Sequence, residues 1–161
     1  GMSFTPQHLP EDHLSILRAE VQALLAKGAI ERVPSEIGTG CYSRYFLVLK
    51  KDRDLHPILD LCPLHLFLRK DKLRMLTLAQ VLSDLDPRDS MVALDLQDAY
   101  FHIPVLQYHR HHLWFQLGQE HFQFSVLPFG LTSAPLVFMK VMVDAAHMRR
   151  LGIPVFPYLD D

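Results

Sequence analysis

The stretch Met91-Val92-Ala93-Leu94-Asp95-Leu96-Gln97-Asp98-Ala99-Tyr100-Phe101 runs from four apolar residues straight into a carboxylate. Residues 91–94 have the length and composition of a short buried strand, which would deliver Asp95 at its end. The arrangement recurs near the other end of the chain, where the apolar run 155–159 leads into Asp160-Asp161. A carboxylate at the end of a buried strand is costly unless it is paired or bound to a metal. If the two strands are neighbours, Asp95, Asp160 and Asp161 meet at one sheet edge as hard oxygen ligands suited to Mg²⁺. Two such ions clamp the attacking and leaving oxygens of a phosphoryl transfer. The plain alternative is a solvated turn residue, and for a lone Asp after a strand it is the better reading.

Around these strands the chain alternates helices and hairpins. Leu14, Leu17, Val21, Leu24 and Leu25 recur at helical spacing, with Pro10 before them and Lys27-Gly28 as a stop, so residues 11–27 are expected to be a helix. Residues 45–50 and 55–61 read as two strands about the turn 51–54, with Pro57 demoting the second to an edge or irregular strand. Thr77-Leu78-Ala79-Gln80 has the form of a capping box that opens a short helix to about Leu85. A second hairpin is expected from residues 113–117 and 121–126 about Gly118. Ser133-Ala134-Pro135 then caps a helix with the stripe Val137, Phe138, Val141, Met142 and Ala145, which Gly152 ends. Mixed hairpins with helices packed on one side indicate an α+β fold. No linker marks a second domain.

With 161 residues, 49% of them hydrophobic, the chain can bury a real core as one domain. Its formal charge of −2 is an awkward balance for a nucleic-acid enzyme, because phosphate contacts need Lys and Arg, although a local basic stripe can serve. Cys41 and Cys62 have no CxxC spacing and read as reduced thiols of an intracellular protein, cytosolic or nuclear. Neither a secretion signal nor a membrane-spanning run is evident, so a secreted or membrane-bound protein is not expected. The run Tyr108-His109-Arg110-His111-His112 matches no zinc template and reads as a polar loop. There is no Gly-rich P-loop and no kinase signature, which argues against other phosphoryl-transfer enzymes.

The segment 92–101 resembles motif A of reverse transcriptases. Leu127-Pro128-Phe129-Gly130-Leu131-Thr132-Ser133-Ala134-Pro135 resembles motif B of the gypsy- and DIRS-type enzymes, and Tyr158-Leu159-Asp160-Asp161 resembles motif C, the YxDD box. YxDD alone is a weak match. Three motifs in the right order are specific, and the resemblance covers nearly the whole chain, including the family's entry segment at residues 11–31. It implies a right-hand polymerase domain over residues 1–161, with fingers at roughly 1–88 and a partial palm at roughly 89–161, and without thumb, connection or ribonuclease H.

The same resemblance implies roles. Asp95, Asp160 and Asp161 would be the catalytic carboxylates, holding two Mg²⁺ ions (Mn²⁺ as a substitute) together with the Leu96 carbonyl. Tyr100 would be the steric gate beneath the sugar, where the residues alone suggest only a core tyrosine. Asp98 and Ala99 would face the triphosphate, and Phe129-Gly130 would form the turn that approaches nucleotide and template. Lys50 and Lys51, at the fingertip, would grip the triphosphate as point charges; without the resemblance they are a solvated pair. The partners implied are an RNA or DNA template with its primer, a dNTP, and the rest of a polyprotein carrying ribonuclease H and a recombinase.

The pattern breaks in the fingers. The family's two arginines are replaced by His56 and Cys62, and its asparagine by His65. Histidine cannot make the bidentate fork of the arginine that braces the triphosphate. Arginine-to-histidine and arginine-to-cysteine are both products of transition at CpG codons, which suggests a decaying copy; non-CpG codons in close copies would sink that idea. A recruited host protein with a binding role, or a fragment known by its ribonuclease H, are the rival readings. Because the sequence stops at Asp161, before any strand returning from motif C, the isolated chain is expected to synthesise no DNA.

Overall fold

The computed structural model describes residues 11–34, 40–49, 55–68, 75–145 and 150–157. Helix α1 (Glu11–Ala26) buries Leu17, Val21 and Leu24, the stripe its apolar spacing dictates. It ends in a Schellman cap: the Ala29 amide reaches the Leu24 carbonyl and the Gly28 amide the Leu25 carbonyl, with Gly28 at φ 68°. That left-handed position is the one a glycine fills without a Cβ penalty.

Strands β1 (Ile30–Val33), β2 (Tyr42–Leu49), β3 (Leu55–Asp60), β4 (Trp114–Leu117) and β5 (Glu120–Phe124) form one sheet in the order β1-β5-β4-β2-β3. All neighbours are antiparallel except β2 and β4, whose parallel pairing spans only Tyr42↔Trp114 and Ser43↔Phe115. The β4–β5 hairpin turns at Gly118, φ 63°, a first loop position that favours glycine. Pro57 lies in β3, at the sheet edge, where its missing N–H costs no ladder bond. The short helices α2 (Cys62–His65) and α3 (Leu78–Ser83) follow, α3 with the expected capping box between Thr77 and Gln80. Helix α4 (Ala134–Ala145) comes last.

The core joins α1 to the sheet and to motif B: Leu17, Leu24, Ile30, Leu61, Phe115, Phe122, Phe124, Leu127, Leu131 and Ala134 are all buried. Phe115 and Phe122 stack at 5.3 Å and are fully buried. The fold is α+β with a mixed five-stranded sheet.

Two expected strands fail. Residues 91–94 form no strand and are not buried: Val92 is 83% and Leu94 78% exposed. A strand exists only where a neighbour receives its backbone hydrogen bonds, and among the described residues nothing pairs with 91–96. Residues 155–157 are likewise irregular; Pro154 and Pro157, which bracket Val155-Phe156, carry no ladder N–H. The rest of that expected strand lies outside the described residues. No described helix is long and apolar enough to cross a membrane.

Candidate polymerase site

Motif A enters its turn at Asp98, whose φ of 50° and ψ of 43° make it the one described non-glycine residue in the left-handed region. Two contacts hold it there. Its carbonyl accepts from the Phe101 amide at 2.8 Å, and its carboxylate accepts from Lys27 Nζ at 2.7 Å. That hydrogen bond to Asp98 pushes the Lys27 ammonium above its ordinary pKa. Sequence reasoning singled out Asp98 and missed Lys27, whose only signal was its place as the last residue before the helix-ending Gly28.

The 3₁₀ turn Ala99–His102 then presents Tyr100 and Phe101. Residues 103–105 return alongside the end of β5: the Val105 amide donates to Ser125, the Leu127 amide to Ile103, and Pro104 bridges to Val126. Ser125 in turn donates its hydroxyl to the Gly28 carbonyl at 2.7 Å and its amide to Ala29. The end of α1, the motif A turn and the start of motif B are therefore tied through one short segment.

That tie brings two expected site residues together. The Tyr100 ring lies 5.1 Å from the Phe129 ring and 5.6 Å, edge-on, from Phe138 of α4; Phe101 flanks Phe129 at 5.2 Å. Burial pushes the Tyr100 phenol up, while Phe129 stays half exposed, so the pair forms a wall with an open face. Gly130 follows at φ 88°. A Cβ there would make only ordinary contact with the Leu59 carbonyl, so the backbone angle and not crowding accounts for the glycine.

Asp95 and Leu96 are exposed and lie in irregular chain, a correction to their expected place at a strand end. Both offer oxygen donors of the kind a hard divalent cation takes, which fits the expected ion. Lys50, Lys51, Asp160 and Asp161 lie outside the described residues. Among the described residues no three His, Cys, Asp or Glu side chains are close enough to share an ion.

The departures have definite surroundings. His56 stands opposite Val48 in the β2–β3 hairpin. Cys62 is an exposed free thiol at the start of α2, pushed up by the Asp60 carboxylate beside it, and Cys41 is also free. His65 accepts a hydrogen bond from the Thr132 amide of motif B at 3.1 Å. The histidine run forms a 3₁₀ turn, Gln107–His112, in which burial and the neighbouring His111 and His109 lower the His112 pKa.

Residues 52–161 match the family model described as "Reverse transcriptase (RNA-dependent DNA polymerase)", which is more than half of the chain. The chain belongs to the reverse transcriptase family. Among its curated relatives, the genome polyprotein of Petunia vein clearing virus (isolate Hohn) is 28% identical over 154 residues, 93% of this chain. The Transposon Tf2-3 polyprotein of Schizosaccharomyces pombe is 26% identical over 153 residues, 95% of this chain. This reverse transcriptase domain spans 7% and 11% of those two polyproteins.

Proposed function

We propose that this chain supplies the fingers (roughly residues 1–88) and palm (roughly 89–161) of an RNA-directed DNA polymerase from a DIRS- or gypsy-like retroelement. The observation that carries the reading is the packing of Tyr100 of motif A on Phe129 of motif B. A polymerase needs a wall beneath the sugar of the incoming nucleotide, and that role is assigned to this pair. In the reaction, the primer 3′ oxygen attacks the α-phosphorus of a dNTP and pyrophosphate leaves.

Asp95, Asp160, Asp161 and the Leu96 carbonyl would hold divalent ions, Mg²⁺ or Mn²⁺, which when bound neutralise the charge building on the reacting oxygens. The chain's own groups orient the nucleotide. Lys50 and Lys51 attract the triphosphate, the Asp98–Ala99 turn offers backbone amides to it, and Tyr100 excludes a 2′-hydroxyl. Template, primer and the remainder of a polyprotein are the partners. A second reading, a decayed or recruited copy with a binding role, draws on His56, which cannot replace an arginine's forked contact.

Primer extension on an RNA template, by the polypeptide that carries this domain, tests the proposal. Extension that requires Mg²⁺ or Mn²⁺ and is abolished by Asp95→Asn is the expected result. Extension that survives this substitution undiminished would rule out the assigned site.

A further inference from the structure

Motif B is not held by its own segment alone. The amide of Thr132 lies in the turn just before α4, where a backbone donor has no partner inside the helix that follows. It donates instead to Nε2 of His65, at 3.1 Å, a residue 67 positions earlier at the end of α2. A backbone N–H can only donate, so Nε2 must carry its lone pair and the ring must be neutral, with its proton on Nδ1. Other contacts join the same two regions. The Leu59 carbonyl faces Gly130, 3.6 Å from where a Cβ there would stand, and Leu61 and Leu64 share the core with Leu127 and Leu131. Leu59, Leu61, Leu64 and His65 thus form a continuous support under residues 127–132.

We infer that His65 is a positioning residue: by accepting from Thr132 it fixes the motif B turn, and with it the seat of Phe129 against Tyr100. The imidazole at this position, which departs from the family's asparagine, is then a working part of the site. Only a side chain that places an acceptor as far from the backbone as Nε2 can substitute. Glutamine does, since its carbonyl oxygen stands as many bonds from Cβ as Nε2 does. Leucine fills the volume without an acceptor. The bearing of this contact on nucleotide selection rests on the polymerase reading given above; the contact itself does not.

The test therefore begins without catalysis, by NMR on this chain. In His65→Leu the Thr132 amide should exchange with solvent roughly tenfold faster, the factor a single net hydrogen bond supplies. The cross-peaks between the Tyr100 and Phe129 rings should weaken, while the amides of Phe122 and Phe124 keep their protection. His65→Gln should restore both signals. If Leu unfolds the chain, the wild type still decides. A scalar coupling across the hydrogen bond, from the Thr132 amide nitrogen to His65 Nε2, must be present in it. Thr132 exchange indifferent to the leucine variant, or a wild type without that coupling, overturns the inference. Primer extension separates it from the polymerase reading. Extension that needs Asp95 yet keeps its dNTP KM in His65→Leu would discard the role of His65 and leave the polymerase standing.

Discussion

Tyr100 touches Phe129 and Phe138 through its ring, so shortening it opens the wall without removing a buried charge or a backbone contact. In the polypeptide that carries this domain, Tyr100→Ala is expected to admit ribonucleotides in primer extension, and unchanged discrimination between dNTPs and rNTPs would show that the wall lies elsewhere. Two positions earlier the backbone matters more than the side chain. Asp98 sits at φ 50°, where a β-branched residue is strained by ~1–2 kcal/mol. Asp98→Val should lower the thermal midpoint, whereas Asp98→Gly, which relieves the angle while giving up the Lys27 contact, should stay close to wild type. Equal loss in both variants would mean that the Lys27 ion pair, and not backbone strain, dominates. At this scale the sequence was legible only in part. The motif letters named Tyr100, Phe129 and Asp98, because their spacing is specific. The contacts of Lys27 and His65 escaped because their partners are 71 and 67 positions away, and no local pattern records such a contact.

Across the sheet, Glu31 of β1 accepts from Arg110 at 2.9 Å and from Gln123 at 2.6 Å, and Gln123 in turn accepts from the Trp114 indole at 2.6 Å. Burial opposes the Glu31 charge, but these donors outweigh it and hold the carboxyl below its ordinary 4.5. A depressed folded pKa stabilises the fold at pH above the unfolded value, and that contribution disappears as pH falls through the folded one. With the side chain partly open to water, the effect is expected to be under ~1 kcal/mol. Urea midpoints of wild type and Glu31→Gln should therefore differ at pH 7 and draw together as the pH falls below the ordinary 4.5; a constant gap would exclude the titration. The same network pins the Trp114 ring, and a Cβ at Gly40 would overlap that ring. Gly40→Ala should cost ~1–3 kcal/mol by overpacking, read as a lower urea midpoint with unchanged slope. Of the elements, α1 and both hairpins were readable, since helical periodicity and turn residues are local. The strand expected at 91–94 was not, because apolarity cannot say whether a neighbouring strand exists. β1 was missed as a strand because Ile30-Glu31-Arg32-Val33 is too short to show alternation.

For the molecule as a whole, one aromatic unit carries much of the packing. Phe115 is fully buried between Tyr45, Phe122 and Phe124, so Phe115→Ala should cost ~3–5 kcal/mol and broaden or abolish cooperative thermal unfolding. A sharp wild-type-like transition would contradict that core. The α+β class was legible from alternating hairpins and helices, but the sheet order was not: nothing in the local pattern of residues 42–49 announces a parallel partner at Trp114. That partner has a kinetic consequence. The hairpins β2–β3 and β4–β5 close short loops and can zip within microseconds. The two-residue parallel join between Tyr42-Ser43 and Trp114-Phe115 must enclose about seventy residues before it is rewarded by a single pair of rungs. Closing that loop, and the longer one that the β1–β5 ladder makes between Ile30 and Phe124, is expected to come late in folding, so lengthening the chain between β3 and β4 should retard refolding while barely changing equilibrium stability.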